Sequence, residues 1–134
     1  MFWVLIVIIG GTSMIELSIK PLSANEAFRG RKFRTKKYDA YIATLMLILP
    51  KISLPKPPYS INLVVGYSNV LSDIDNCLKP FIDCLQKKYL FNDRDIYKLS
   101  IEKKIVKKGE EFINFEIKSL LFEQTEQDKI SNKF

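Results

Sequence analysis

A chain of 134 residues, 47% hydrophobic and 27% charged, has the size and balance of one globular domain, which argues against a disordered or membrane-embedded polypeptide. Twenty-one Lys and Arg against fifteen Asp and Glu leave a net charge of +6, a field that favours polyanionic partners. The histidine count is zero, which excludes His general bases, His-ligated zinc and Ser-His triads, and two cysteines alone cannot complete a structural zinc site.

The chain opens with MFWVLIVIIGGTS, whose apolar run covers only nine residues. A bilayer span needs about 20 residues, and the basic start and small-residue cleavage site of a secretory signal are missing. No membrane partner and a cytoplasmic location are therefore expected. Residues 1–13 read either as an over-extended reading frame or as an added strand, with Met14 beginning the domain proper at residues 14–122. Between Met14 and Lys20, apolar Ile15, Leu17 and Ile19 alternate with polar residues, which predicts a half-buried strand ended by Pro21.

A basic stretch follows. Phe28 to Lys37 holds six cations (Arg29, Arg31, Lys32, Arg34, Lys36 and Lys37) and no acid, so it reads as a solvated loop or as a phosphate-binding one. Phe28 and Phe33 in it either anchor the loop to the core or stack on opened bases. From Thr35 to Leu49 the apolar positions recur at three or four, predicting an amphipathic helix that Pro50 stops. Four prolines between residues 50 and 60 make a stiff connection to a strand over Ser60–Tyr67.

Next comes SDIDNCLKPFIDCLQKKYLFNDRDI, residues 72–96. Pro80 is tolerated only near a helix start, so a helix is predicted from about Leu78 to Tyr89, with Leu78, Ile82 and Leu85 as its core stripe. Cys77 and Cys84 lie seven apart; on one helix that is about 10 Å of axis, beyond disulfide reach, so both read as reduced core thiols. Ile96–Val106 and Phe112–Leu120 alternate around KKGEE and predict a hairpin, and the polar residues 123–134 read as a frayed tail. The element pattern gives an α/β (α+β) two-layer sandwich, a mixed sheet packed with two main helices.

Chemistry concentrates before that helix. Asp73, Asp75 and Asn76 crowd more oxygen-bearing side chains at a helix start than capping needs. On extended chain Asp73 and Asp75 would point to one side, which suits a hard cation such as magnesium. Lys79 lies one turn from Asp75 and one turn from Asp83, either as a surface ion pair or as a phosphate ligand with Asp83 behind it. Asn92 and Asp93 read equally as turn residues and as ligands.

The order D-x-D-N-x-x-K-P-x-x-D-x-L, here Asp73, Asp75, Asn76, Lys79, Pro80, Asp83 and Leu85 followed by Asn92 and Asp93, resembles the RusA family of Holliday junction resolvases. SIKPLSAN, with Pro21, Ser23 and Asn25, is similar to the family's opening strand and loop more weakly. The resemblance implies a RusA-like fold and a homodimeric, magnesium-dependent endonuclease, with manganese as substitute, that nicks four-way DNA junctions symmetrically. It implies metal-binding carboxylates at Asp73, Asp75 and Asp93, a catalytic lysine at Lys79, and supporting roles for Asn76, Asp83 and Asn92. Two departures stand out: Asn92 replaces one member of a frequent acidic pair, and Ser72 stands where a basic residue occurs. The expected rivals are a non-catalytic branched-DNA binder whose acids serve only as caps, and a flap or fork nuclease. The basic stretch would line the DNA path, with Lys87 and Lys88 as weaker contacts.

Overall fold

The fold is that of a computed structural model, which describes residues 5–9, 12–30 and 33–121. Strand β1 (Leu5–Ile9) pairs antiparallel with β2 (Thr12–Leu17), so part of the leading apolar segment forms an outer strand of the sheet. Ile15 and Leu17 of β2 are buried, as alternation predicts, but the strand ends at Leu17, where a turn closed by the Ile19 amide on the Leu17 carbonyl redirects the chain. A one-turn helix, α1 (Ala24–Ala27), starts with a capping box: Ser23 Oγ accepts from the Glu26 amide and Glu26 reaches back to the Ser23 amide. The basic stretch then forms a small ribbon, β3 (Phe28–Arg29) against β4 (Phe33–Arg34). Gly30, at φ 63°, supplies the left-handed turn residue.

Helix α2 (Lys36–Ile48) is capped by Thr35, whose hydroxyl accepts from the Tyr38 amide and donates to the Glu26 carbonyl. Its predicted apolar positions Tyr38, Tyr41, Ile42 and Leu45 are buried, and Leu49 closes it. The stiff proline segment leads to β5 (Tyr59–Tyr67), then α3 (Leu78–Tyr89), β6 (Ile96–Ile105) and β7 (Phe112–Ser119).

The sheet order is β1-β2-β7-β5-β6, with β6 parallel to β5 and the other pairings antiparallel. The expected hairpin between the last two strands does not form. β5 is buried along nearly its whole length, so it takes a position between two neighbours, β6 on one side and β7 on the other. The KKGEE segment instead crosses the end of β5, where the Val106 amide donates to the Tyr67 carbonyl at 2.8 Å. Close passage there requires Gly66: a Cβ on it would lie 2.5 Å from the Phe112 ring.

Ile61, Leu63 and Val65 of β5, with Ile113 and Phe115 of β7, form the buried side of the sheet under the helices. Phe81 of α3 meets Phe115 edge to face at 5.6 Å between ring centres. The other side is polar, with Asn62 donating to Glu116 at 2.8 Å and accepting from Ser100. This is the mixed α/β class expected from the sequence.

Candidate active site

Residues 68–77, which join β5 to α3, hold the informative acids, and backbone and side-chain bonds fix them from three sides. Tyr67 Oη donates to the Ile74 carbonyl at 3.3 Å, Lys103 of β6 donates to the Val70 and Ser72 carbonyls, and the Ala24 amide donates to the Asn76 carbonyl at 3.0 Å. Burial pushes the Tyr67 phenol well above its ordinary value, with the neighbouring Cys77 adding to the shift, so it stays a hydrogen-bond donor.

Asp73 and Asp75 are not on extended chain. The Asn76 amide bonds the Asp73 carbonyl and the Leu78 amide bonds the Asp75 carbonyl, each at 3.1 Å, so the acids sit in consecutive turns. Both side chains are exposed, and among the described residues no hydrogen bond or ion pair engages either carboxylate. Neither caps α3: the N-cap is Cys77, which makes no side-chain cap bond. Asn76 lines a polar recess together with Ser23, Ser72 and Glu111.

Lys79, in the first turn of α3, turns away from the acids before it. Its ammonium lies 3.6 Å from Asp83 Oδ2 and 5.6 Å from the centre of the Phe28 ring. Asp83 also accepts from Tyr38 Oη at 3.4 Å, so it holds Lys79 on the α2 side of the helix. The expected Lys79–Asp83 contact exists, whereas the Lys79–Asp75 alternative does not.

Asp93 is placed elsewhere. It opens a 3-10 turn, Asp93–Asp95, just before β6, with its amide donating to Gln86 Oε1 at 2.9 Å. Asn92 is the cap of that turn, accepting from the Arg94 amide at 3.0 Å, so its structural role is accounted for. Since β5 and β6 are parallel, the start of β6 lies at the opposite end of the sheet from the end of β5. Helix α3, about 18 Å long for its twelve residues, runs between the two positions. Within one chain the expected three-carboxylate cluster is therefore not assembled, and no group of three or more His, Cys, Asp or Glu that could hold a metal occurs among the described residues.

A scan against protein-family models gives no match, and no curated protein matches the chain.

Of the basic stretch, Arg29 and Arg34 lie on the exposed β3–β4 ribbon, Arg34 facing Asp39 at 3.7 Å, and Lys36 and Lys37 are exposed in the first turn of α2. Arg31 and Lys32 lie outside the described residues, as does the 123–134 tail. Phe28 packs on Tyr38 at 5.2 Å, anchoring the ribbon, while Phe33 is 73% exposed. Lys88 donates to the Met46 carbonyl and serves the helix pair, whereas Lys87 is exposed. Cys77 and Cys84 are buried free thiols, and burial pushes Cys84 up to about 12. Sequence reasoning missed Tyr67 and Lys103 as the side chains that fix the acidic loop. The signal for Lys103 was a cation breaking the apolar side of an alternating strand. Among the described residues, no helix is long and apolar enough to cross a membrane.

Proposed function

We propose that the chain is a magnesium-dependent endonuclease of branched DNA, of the RusA type its motif resembles, acting as a two-fold homodimer. The observation that carries this is the condition of Asp73 and Asp75. They are two exposed carboxylates just past the C-terminal end of a strand in a parallel β-α-β unit, unengaged by any side-chain partner among the described residues and not used as helix caps. Ligands of open α/β sheets gather at that end of the strands. Two hard oxygen donors open to solvent suit magnesium, which accepts one or two carboxylates and retains several waters. Bound there, magnesium supplies a water of lowered pKa and neutralises charge on the phosphoryl oxygens.

For Asp93 to join these two acids, it has to come from a second copy. β6 is an outer strand of ten residues with Tyr97, Leu99 and Ile105 exposed, an edge open to pairing. Two copies joined antiparallel along β6 bring the start of one β6 to the end of the other, so Asp93 of the partner subunit arrives at the end of the sheet that carries Asp73 and Asp75. Centred on Ser100, this register also sets Lys98 opposite Glu102 of the partner subunit. Val70, Leu71 and Ile74, all exposed at the same corner, offer apolar surface for the contact.

Lys79, held on the α2 side by Asp83, would have to swing from that ion pair toward the acids to stabilise negative charge on the scissile phosphate as the bond breaks. Lys36 and Lys37 point the same way functionally: cations in the first turn of a helix oppose its dipole, a cost that phosphate contact offsets. The rival non-catalytic binder is disfavoured because its premise is that the acids cap α3, and the cap is Cys77. A flap or fork nuclease shares the chemistry and differs in substrate.

The test is cleavage of a synthetic four-way junction, a fork, a flap and a linear duplex in magnesium. Paired nicks confined to the junction are expected, and Asp75→Asn should abolish cutting while keeping junction binding. Wild-type protein that cuts none of the four, or Asp75→Asn protein that cuts at the wild-type rate, would refute the proposal.

A further inference from the structure

A second recess lies between α2 and α3, beside the β3–β4 ribbon and away from the acidic loop. Its cavity is about 340 Å³, at the small end of ligand pockets. Arg34, Lys79 and Lys87 line it together with one acid, Asp83. That acid is committed to Tyr38 Oη and to Lys79, and Arg34 also faces Asp39, outside the lining, so Lys87 is the lining cation that no ion pair engages among the described residues. The half-buried Phe28 ring, backed by buried Ile42, gives the recess an apolar wall. Lys79 and Lys87, eight residues apart on one helix, stand about 12 Å apart along its axis.

We propose that this recess is a nucleotide site that takes a nucleoside unit carrying a terminal phosphate, the phosphate between Arg34, Lys79 and Lys87 and the apolar part of the nucleoside against Phe28. The charge decides for a terminal phosphate over an internal one. A phosphate monoester carries about −1.5 to −2 at neutral pH, enough to engage Lys87 and to compete with Asp39 and Asp83 for Arg34 and Lys79, whereas an internal diester carries only one negative charge. Asp83 acts here as a positioning residue, since it fixes Lys79 without facing the ligand alone. The phosphate can come from free nucleotide or from a 5′-phosphorylated DNA end. The proposal rests on the DNA-processing reading only for that second source.

The experiment is an NMR titration of the full chain, following backbone amides, with deoxyadenosine monophosphate, deoxyadenosine, inorganic phosphate, and matched oligonucleotides bearing a 5′-phosphate or a 5′-hydroxyl. Saturable shifts clustered on Arg34, Lys79 and Lys87 are expected with the monophosphate, at an affinity about tenfold above the unphosphorylated nucleoside. Lys87→Ala, a change at an exposed position, should weaken that binding by about tenfold, and Arg34→Ala provides a second such variant. Deoxyadenosine binding as tightly as its monophosphate, shifts elsewhere on the surface, or affinity unchanged in both variants would overturn the site. Binding of the free monophosphate but not of the 5′-phosphorylated oligonucleotide assigns the site to free nucleotide. Nucleotide binding by protein that cuts no DNA would sink the nuclease and leave the recess, and junction cutting without nucleotide shifts does the reverse.

Discussion

Mixing two inactive variants tests whether Asp93 acts across a subunit boundary. In Asp75→Asn homodimers both sites lack a carboxylate, and in Asp93→Asn homodimers both sites lack the other. When the two are refolded together at equal amounts, random pairing makes about half of the dimers mixed. If the site spans two copies, one site of each mixed dimer receives Asp73 and Asp75 from the Asp93→Asn subunit and Asp93 from the Asp75→Asn subunit, and is intact. The other site loses both. About one quarter of all sites are thus restored, and because each mixed dimer has one, the product should be singly nicked junction instead of paired resolution. Gel assay of an end-labelled junction in magnesium separates the two products. Both substituted positions are exposed, so the substitutions leave the core untouched. A mixture as inactive as its parents refutes cross-subunit completion, because a site contained in one chain would be dead in every dimer.

Other outcomes follow from separate parts of the structure. Gly66→Ala puts a Cβ 2.5 Å from the Phe112 ring. Overpacking costs about 1–3 kcal/mol, offset by about 0.5–1 kcal/mol from replacing a strand glycine, so urea denaturation should show a net loss near 1 kcal/mol, reversed by adding Phe112→Leu; a stabilised single variant would contradict the close approach. Burial raises the Cys84 thiol from 9.0 to about 12. Its folded value lies above its unfolded one, so the associated stability is present below pH 9 and lost as pH rises toward 12. Iodoacetamide at pH 8 should leave both cysteines unlabelled until the protein unfolds, as mass spectrometry would report. For DNA binding, log K should fall by about 0.9 per log unit of salt for each neutralised phosphate, and replacing Lys36 and Lys37 by Ala should lower that slope by about 2 per subunit; an unchanged slope would remove the start of α2 from the interface.

Much of the architecture was legible because each signal was local. The three-to-four spacing of Tyr38, Tyr41, Ile42 and Leu45 marked α2, Pro80 fixed the start of α3, alternation marked β6, and β5 was placed after the proline segment, both strands to within a residue or two. Strand order was not legible. A glycine turn between two alternating segments reads as a hairpin, and only the burial of β5 on both sides displaces that pairing. The candidate site divides along the same line. Asp73, Asp75, Lys79 and Asp83 lie within eleven residues and were found, although the turns that hold Asp73 and Asp75 replace the extended geometry expected of them. Where Asp93 sits depends on the parallel direction of β6 relative to β5, a property of the whole sheet that spacing along the chain does not encode.

The pairing of Ile15 with Phe115 ties residues one hundred positions apart, and β7 is the bridge through which β1 and β2 join the rest of the sheet. A chain emerging from the ribosome can therefore form the β5-α3-β6 unit early but must leave the apolar side of β2 uncovered until β7 is made. Closing so long a loop is entropically slow. The cover on that apolar side thus comes late in the life of each molecule, and synthesis is the interval in which this protein is most exposed to chaperones and to its own neighbours.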